Sequence, residues 1–306
     1  MRVAITGGTG YLGTALRTAL KTHGHDAAAV RRGTASDSGQ WDPATGWVQA
    51  GTFEGVDAVV HLSGTSIGAK RWTAARKREL RASRIDSTRA LVSHLAGLPV
   101  PPKTLVVASA TGIYGDSADR VLTEESPRGT GFLADLVADW EREAMRATEA
   151  GIRVVTPRFA PMVARDSEMI GKLLLPFRLG LGGRLGSGRQ WFSWVATEDA
   201  VAAIEFLIAH DEVAGPVNVV APQPATNIEF TRAMGQALHR PTLFPVPSMA
   251  LRAMFGGALA EEMLLASQRA VPARLLAAGF RFRHATIEEA LQAAFTKDAA
   301  VMAAAR

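Results

Sequence analysis

The stretch "SATGIYGD" sets three hydroxyls, Ser109, Thr111 and Tyr114, close together, directly after the apolar run "KTLVV". A hydroxyl at a strand's carboxyl end can donate a hydrogen bond to a carbonyl oxygen, and a phenol within reach can pass that oxygen a proton. The same groups also suit a turn, where hydroxyls satisfy the local backbone. Near the start of the chain, "ITGGTGYLGTAL" spaces Gly7, Gly10 and Gly13 as G-x-x-G-x-x-G between a strand-like run and a helix-like one. In that context one glycine permits a tight turn. The next lets backbone N–H groups approach a pyrophosphate, and the last allows close helix–strand packing. The helix N-terminus then directs its partial positive charge at the phosphates.

Cofactor choice is read at the end of the following strand. An acid there, about 20 residues on, would bind the ribose 2′-hydroxyl of NAD. This chain has Arg31 and Arg32 instead, and Asp26 and Asp37 replace the missing acid poorly. Two guanidiniums suit a 2′-phosphate through charge-assisted hydrogen bonds, so NADP(H) is the expected cofactor. Arg158 closes the run "IRVVTPR" and could hold a carboxylate or a cofactor phosphate. Gln190, Trp191, Ser193 and Trp194 form a polar-aromatic group suited to a pocket wall, and nearly as well to a core. In "KRWTAARKRELRASR", Lys77, Arg81 and Arg84 share a side at helical spacing. A solvated face is the simplest reading, with an anion site as the alternative. The histidines show no metal spacing, and His61 on an apolar strand reads as packing, so no metal is expected.

The elements that must position these groups alternate. Strand-like runs "RVAITGG", "HDAAAVRR", "DAVVHLSG", "KTLVVASA" and "IRVVTPRF" are separated by helical stretches Tyr11–Gly24, about Thr73–Ala96 and Phe132–Ala150. Short apolar strands between helices imply parallel βαβ units, right-handed crossovers and a doubly wound α/β sheet with ligands at the strands' carboxyl ends. Gly33 to Gly55 reads as loop or weak strand. Beyond about Phe159 the rhythm changes. "LLLPFRLGLGGRLGSGRQWFSW" reads as a structured loop, followed by a helix, the strand "PVNVVAP", a helix capped by Thr226 or Asn227, and a mainly helical tail. The expected division is a nucleotide-binding domain over 1–160 and a smaller, interleaved substrate lobe with a helical extension over 161–306.

Composition narrows the classes. With no cysteine, disulfides, thiolate catalysis and Cys-ligated metals are excluded. No apolar run is long enough for a membrane span, and Met1-Arg2-Val3 leads straight into a strand without room for a secretory signal, so a cytoplasmic protein with no membrane partner is expected. The net charge of +5 comes without a nucleic-acid module, so no nucleic acid is expected either.

Together, "TGGTGYLG", "DAVVHLSG", "SATGIYGD", "EESPRGTGFLADLVADWEREA", the glycine-rich loop and "VPARLLAAGFRFRHATIEEAL" resemble the extended short-chain dehydrogenase/reductase superfamily. Within it they resemble the "epimerase family protein" branch with a C-terminal helical extension. The resemblance implies a Rossmann fold with NADP(H). It implies that Thr9, Tyr11 and Leu12 beside the three glycines, Arg31 and Arg32, the Leu62-Ser63-Gly64 turn, Glu79 and Arg84 line the dinucleotide. It also puts Ser109 in the position of the superfamily's catalytic Ser or Thr. Hydride-transferring members add a Tyr-x-x-x-Lys pair on the next helix, in which the Lys lowers the phenol's pKa. That pair is missing here: the helix reads "FLADLVADWERE", offering Asp135, Asp139, Trp140 and Glu141 instead. The chain also departs from the branch at Ala160 and Pro161, and at Ala196 where relatives often have His.

The favoured reading is an NADP(H)-dependent oxidoreductase for a small-molecule carbonyl or related double bond. Ser109 or Thr111 would polarise the substrate and Tyr114 donate the proton. The alternative is a non-catalytic NADP(H)-binding redox sensor, and a nucleotide-sugar epimerase comes third because that chemistry leans on the missing pair. Helices flanking such a sheet often pair as homodimers, and no decisive seam is visible here.

Overall fold

The computed structural model describes residues 1–34 and 40–304, with side chains to residue 296. Asp37 therefore lies outside the described residues. A central sheet is built from β1 (Arg2–Thr6), β2 (Asp26–Val30), β3 (Ala58–His61), β4 (Thr104–Val107), β5 (Arg153–Phe159) and β6 (Gly215–Val219), in the order β6-β5-β4-β3-β1-β2. The pairs β1–β2, β1–β3, β3–β4 and β4–β5 are all parallel. Their cores are the apolar runs of the sequence, as buried parallel strands require: Val3, Ile5, Val59, Val60, Leu105 and Val106 are all sealed from solvent. Because β2 and β3 lie on opposite sides of β1, the chain reverses direction across the sheet there. In sheets of this kind such a switch point, at the strands' carboxyl ends, is where ligands bind.

Helix α1 (Tyr11–Thr22) buries Gly13, Leu16 and Leu20 on one stripe and ends at Gly24, whose φ of +81° suits glycine at a helix end. Helix α2 (Ala74–Arg81) starts at Thr73, whose side chain accepts from the Arg76 N–H at 3.1 Å. It runs through a π-helical turn, Ala82–Asp86, into α3 (Ser87–Ala96). Within Gly33–Gly55 a short antiparallel hairpin forms, Trp41–Asp42 against Trp47–Val48, and Trp41 is fully buried.

The chain divides into two compact units that cross the expected boundary near residue 160. The first holds Met1–Ile113, Ala134–Arg158 and Val201–Val217; the second holds Tyr114–Leu133, Phe159–Ala200 and Asn218–Arg306. Helix α4 (Phe132–Met145) starts in one and continues in the other, as does α6 (Thr197–Ala209). In the second unit, part of the expected loop is helical. Helix α5 (Glu168–Arg178) includes Pro176 and points Ile170 and Phe177 into a core with Trp194, Phe230 and Met234. Two turns of buried apolar spacing outweigh the glycine-rich composition that follows them. Helix α7 (Asn227–Leu238) opens on a capping box between Thr226 and Glu229.

Candidate functional site

The glycine loop lies at the switch point. Gly7 has φ of +71°, and a Cβ there would stand 2.8 Å from the Leu62 carbonyl carbon. A Cβ on Gly13 would stand 2.7 Å from the Gly8 Cα and closer still to the Gly7 carbonyl oxygen. Both positions are thus closed to other residues, which explains the spacing physically. Gly10 caps α1 without any side-chain hydrogen bond, and no acid occupies the first turn. A helix start without a side-chain cap or an acid favours an anion beside it. Thr9, Gly10 and Tyr11 are exposed around the loop, and Leu12 is half-buried.

At the end of β2, Arg31 and Arg32 are both exposed. The hairpin fixes their backbone: the Gln40 side chain accepts from the Arg31 N–H at 2.9 Å, and Trp41 bridges to Arg32. Asp42, within electrostatic reach of Arg32, is held below the usual carboxylate range chiefly by the Ala44 N–H and the Thr45 hydroxyl. No carboxylate takes the place of the missing NAD-type acid at this strand end among the described residues.

Around the turn Leu62-Ser63-Gly64 the structure corrects the helical-face reading. Arg84 lies in a π-helical turn and is buried together with Ile85, whereas Lys77 and Arg81 keep partial exposure. The Arg84 side chain is buried against the face of Trp140, 5.3 Å from the ring centroid, and its Cζ would lie 3.3 Å from a Cβ at Gly64. It donates to the Ser83 hydroxyl at 3.3 Å, its Nε has no partner, and it meets no carboxylate among the described residues. Burial, with the like charge of Arg76, lowers its pKa to about 10. Arg76 is also buried. It donates to the Ser66 carbonyl and pairs with exposed Glu79 at 2.7 Å, a hydrogen bond that holds Glu79 below the usual carboxylate range. Sequence reasoning missed Arg76, since nothing local separates it from the other cations of its run. Of the remaining face, Arg81 pairs with Asp139, and Lys77 lies 6.0 Å from the Trp72 ring. His61, as expected, is packing: fully buried, with Nδ1 2.6 Å from the Thr6 hydroxyl and edge-on to Trp41.

The three hydroxyls of "SATGIYGD" have separate fates. Ser109 donates to Glu141 Oε1 at 2.6 Å, and Glu141 is gripped by Arg158 through both oxygens at 2.8 Å. With its proton committed to Glu141, Ser109 has none free for a substrate carbonyl in this arrangement. Arg158 does hold a carboxylate, but it is an internal one, so the expected role at a cofactor phosphate is not what its contacts provide. Tyr114 is 1% exposed and its hydroxyl donates to Asn218 Oδ1 at 2.6 Å. Asn218 is itself fixed, donating through Nδ2 to the Val271 carbonyl at 3.0 Å. A sealed phenol bonded to a buried amide is a structural post, which removes Tyr114 as proton donor. Thr111, buried on a 3-10 turn, makes no side-chain hydrogen bond among the described residues, so its hydroxyl is the one left over.

Helix α4 supplies no substitute pair. Leu133 and Val137, one turn apart, are buried, Asp139 binds Arg81 and Arg142, and Trp140 donates to Thr88 at 2.9 Å. Of the expected pocket wall, Trp194 is a core residue, fully buried with its N–H on the Gln223 carbonyl at 3.1 Å. Gln190 straps backbone, donating to the carbonyls of Leu185 and Leu264. Gln190 and Trp191 both keep partial exposure; the Trp191 ring lies under the Arg269 guanidinium at 4.3 Å and its N–H is on Asp119.

A glycine cradle, a helix start without a side-chain cap, two exposed guanidiniums and the buried Arg84 can hold a diphosphate plus a further phosphate. Residues 3–220 match the NAD dependent epimerase/dehydratase family, and residues 246–294 match a domain of unknown function, DUF1731. The chain belongs to the NAD-dependent epimerase/dehydratase family. An epimerase family protein of Mycobacterium bovis is 44% identical over 96% of this chain and 98% of its own length. Human epimerase family protein SDR39U1, crystallised with NADPH, superposes with a TM-score of 0.85 at 33% identity, covering 97% of this chain and 99% of that one. A nucleoside-diphosphate sugar epimerase from Corynebacterium glutamicum gives 0.77 at 32% identity, covering 99% of this chain and 61% of that one. The family's fold is the Rossmann-like sheet described above.

Proposed function

We propose that this member of the family is an NADP(H)-dependent oxidoreductase acting on a carbonyl, or a related polarised double bond, of a small molecule. The observation that carries the cofactor is the exposed pair Arg31 and Arg32 at the end of β2, where NADH binding would call for an acid. The glycine loop and the start of α1 would receive the pyrophosphate, the two arginines the 2′-phosphate, and Arg84 a further negative group. The human relative crystallised with NADPH supports the same choice. When bound, the cofactor supplies a hydride from its nicotinamide ring.

The side chains set a limit on the rest. Thr111 can donate its Oγ–H to a carbonyl oxygen, while the Arg158–Glu141–Ser109 chain holds the adjoining turn. A threonine polarises but is no acid, so the proton completing a reduction comes from water. General acid catalysis is typically worth about 10²–10⁴-fold, so turnover is slow relative to Tyr–Lys enzymes. Nucleotide-sugar epimerisation, which leans on that pair, fits these residues less well.

A second reading, an NADP(H)-binding sensor without turnover, is favoured by the two engaged hydroxyls, Ser109 and Tyr114. The deciding experiment follows NADPH oxidation across a panel of small carbonyls, with Thr111→Val in parallel. Substrate-dependent oxidation that the variant loses supports the enzyme. Tight NADPH binding, no oxidation with any carbonyl and a partner retained in pull-down support the sensor.

A further inference from the structure

We propose that the second unit carries a docking face for an anionic membrane surface. Residues 169–197 and 230–260 contain no aspartate or glutamate, yet they carry Lys172, Arg178, Arg240 and Arg252 among other cations. The fold brings the two stretches together. Arg240 Nε donates to the Arg178 carbonyl at 2.9 Å, the Val246 N–H to the Arg184 carbonyl at 2.8 Å, and the Gly186 N–H returns to Val246 at 2.9 Å. On the joined surface Leu175, Leu179, Leu181, Leu243, Phe244 and Met249 stand 59–77% exposed. Exposed apolar groups clustered to this degree mark a contact surface on a soluble chain.

Cations and apolar groups alternate on the same outward faces. On α5 Lys172 and Leu175 follow at i and i+3 and exposed Arg178 at i+6, with Leu179 at the C-cap. On the helix Ser248–Phe255, Met249 and Arg252 follow at i and i+3. Two acids that flank the stretches are paired, Glu168 with Lys172 at 2.6 Å and Glu261 with Arg252 at 2.5 Å. Arg178 meets no carboxylate among the described residues, and Arg240 donates only to backbone carbonyls.

That charge pattern selects the occupant. A second copy across a twofold axis would set the same patch against itself, cation facing cation. A bilayer with anionic headgroups takes the Arg178 and Arg240 guanidiniums while the Leu, Phe and Met side chains enter the interfacial layer. Among the described residues no helix is long and apolar enough to cross a membrane, so the attachment is to a surface.

The test is flotation of the full chain with vesicles of phosphatidylcholine alone, and with about 30% phosphatidylserine, at low and high salt. Retention on the anionic vesicles should exceed that on neutral ones by about fivefold or more and fall at high salt. Arg178→Glu, and separately Leu243→Ser with Phe244→Ser, should each reduce it by about fivefold while melting temperature and NADPH affinity stay unchanged. Equal retention on neutral vesicles overturns the proposal. So does no retention, whether the chain is monomeric or forms a concentration-dependent dimer by light scattering; the dimer would assign the face to a second copy.

Discussion

His61 gives a sharp test of how the nucleotide-binding unit is packed. It lies at the carboxyl end of β3, fully buried between Thr6, Ser87 and Trp41, and burial together with the Arg84 charge lowers its pKa from 6.5 to about 3. Between those values the unfolded chain binds a proton at His61 and the folded chain does not. Stability therefore rises with pH across this window, is fully present above about 6.5, and is lost as pH falls toward 3. Each unit of pH is worth about 1.4 kcal/mol, so going from neutral to about pH 5 removes about 2 kcal/mol through this one group. Urea denaturation of the native chain and of His61→Asn, at several pH values from about 7.5 to 5, isolates the effect. The variant removes the titration and keeps a polar group facing Thr6, so its stability should be lower at neutral pH but flatter by about 2 kcal/mol across the window. His94, whose pKa burial also lowers, titrates in both proteins and cancels in the difference. Parallel curves for the two proteins would refute the claim that His61 stays neutral against Arg84.

Replacing Arg31 or Arg32 by Ala should weaken NADPH binding by about 10- to 100-fold, as for loss of a charged hydrogen bond, and leave NADH unchanged. Fluorescence titration checks this, and equal losses for both cofactors would contradict the 2′-phosphate assignment. Glu141→Gln strips a buried guanidinium of its carboxylate and should cost about 3–5 kcal/mol in urea unfolding, whereas the paired change Glu141→Leu with Arg158→Met should recover much of it. Tyr114→Phe should cost about 1–2 kcal/mol by leaving Asn218 Oδ1 unpaired, with turnover and NADPH affinity unchanged. Lost turnover at unchanged stability would restore the phenol as proton donor. Gly13→Ala should cost about 1–3 kcal/mol in thermal unfolding and abolish NADPH binding, because the added methyl meets the loop's own backbone.

The sequence by itself determined the sheet's strands, the helices between them, the glycine cradle and the basic end of β2. Each of these is a local matter: a run of buried apolar residues, a cap, a φ that only glycine holds comfortably, or two charges at a strand's end. The tertiary structure decided which polar groups remain free to act. Ser109 and Arg158 meet on Glu141, and Tyr114 meets Asn218 more than a hundred residues away. A π turn, with no sequence signal of its own, holds Arg84 and Ile85 buried while Lys77 and Arg81 keep partial exposure. Helix α5 forms inside what composition reads as loop because the core beneath it rewards Ile170 and Phe177. Composition reports which hydroxyls and guanidiniums are present. Whether each is used up or left open depends on the partners that long-range packing brings to it, and a buried donor takes whatever acceptor the fold sets within reach.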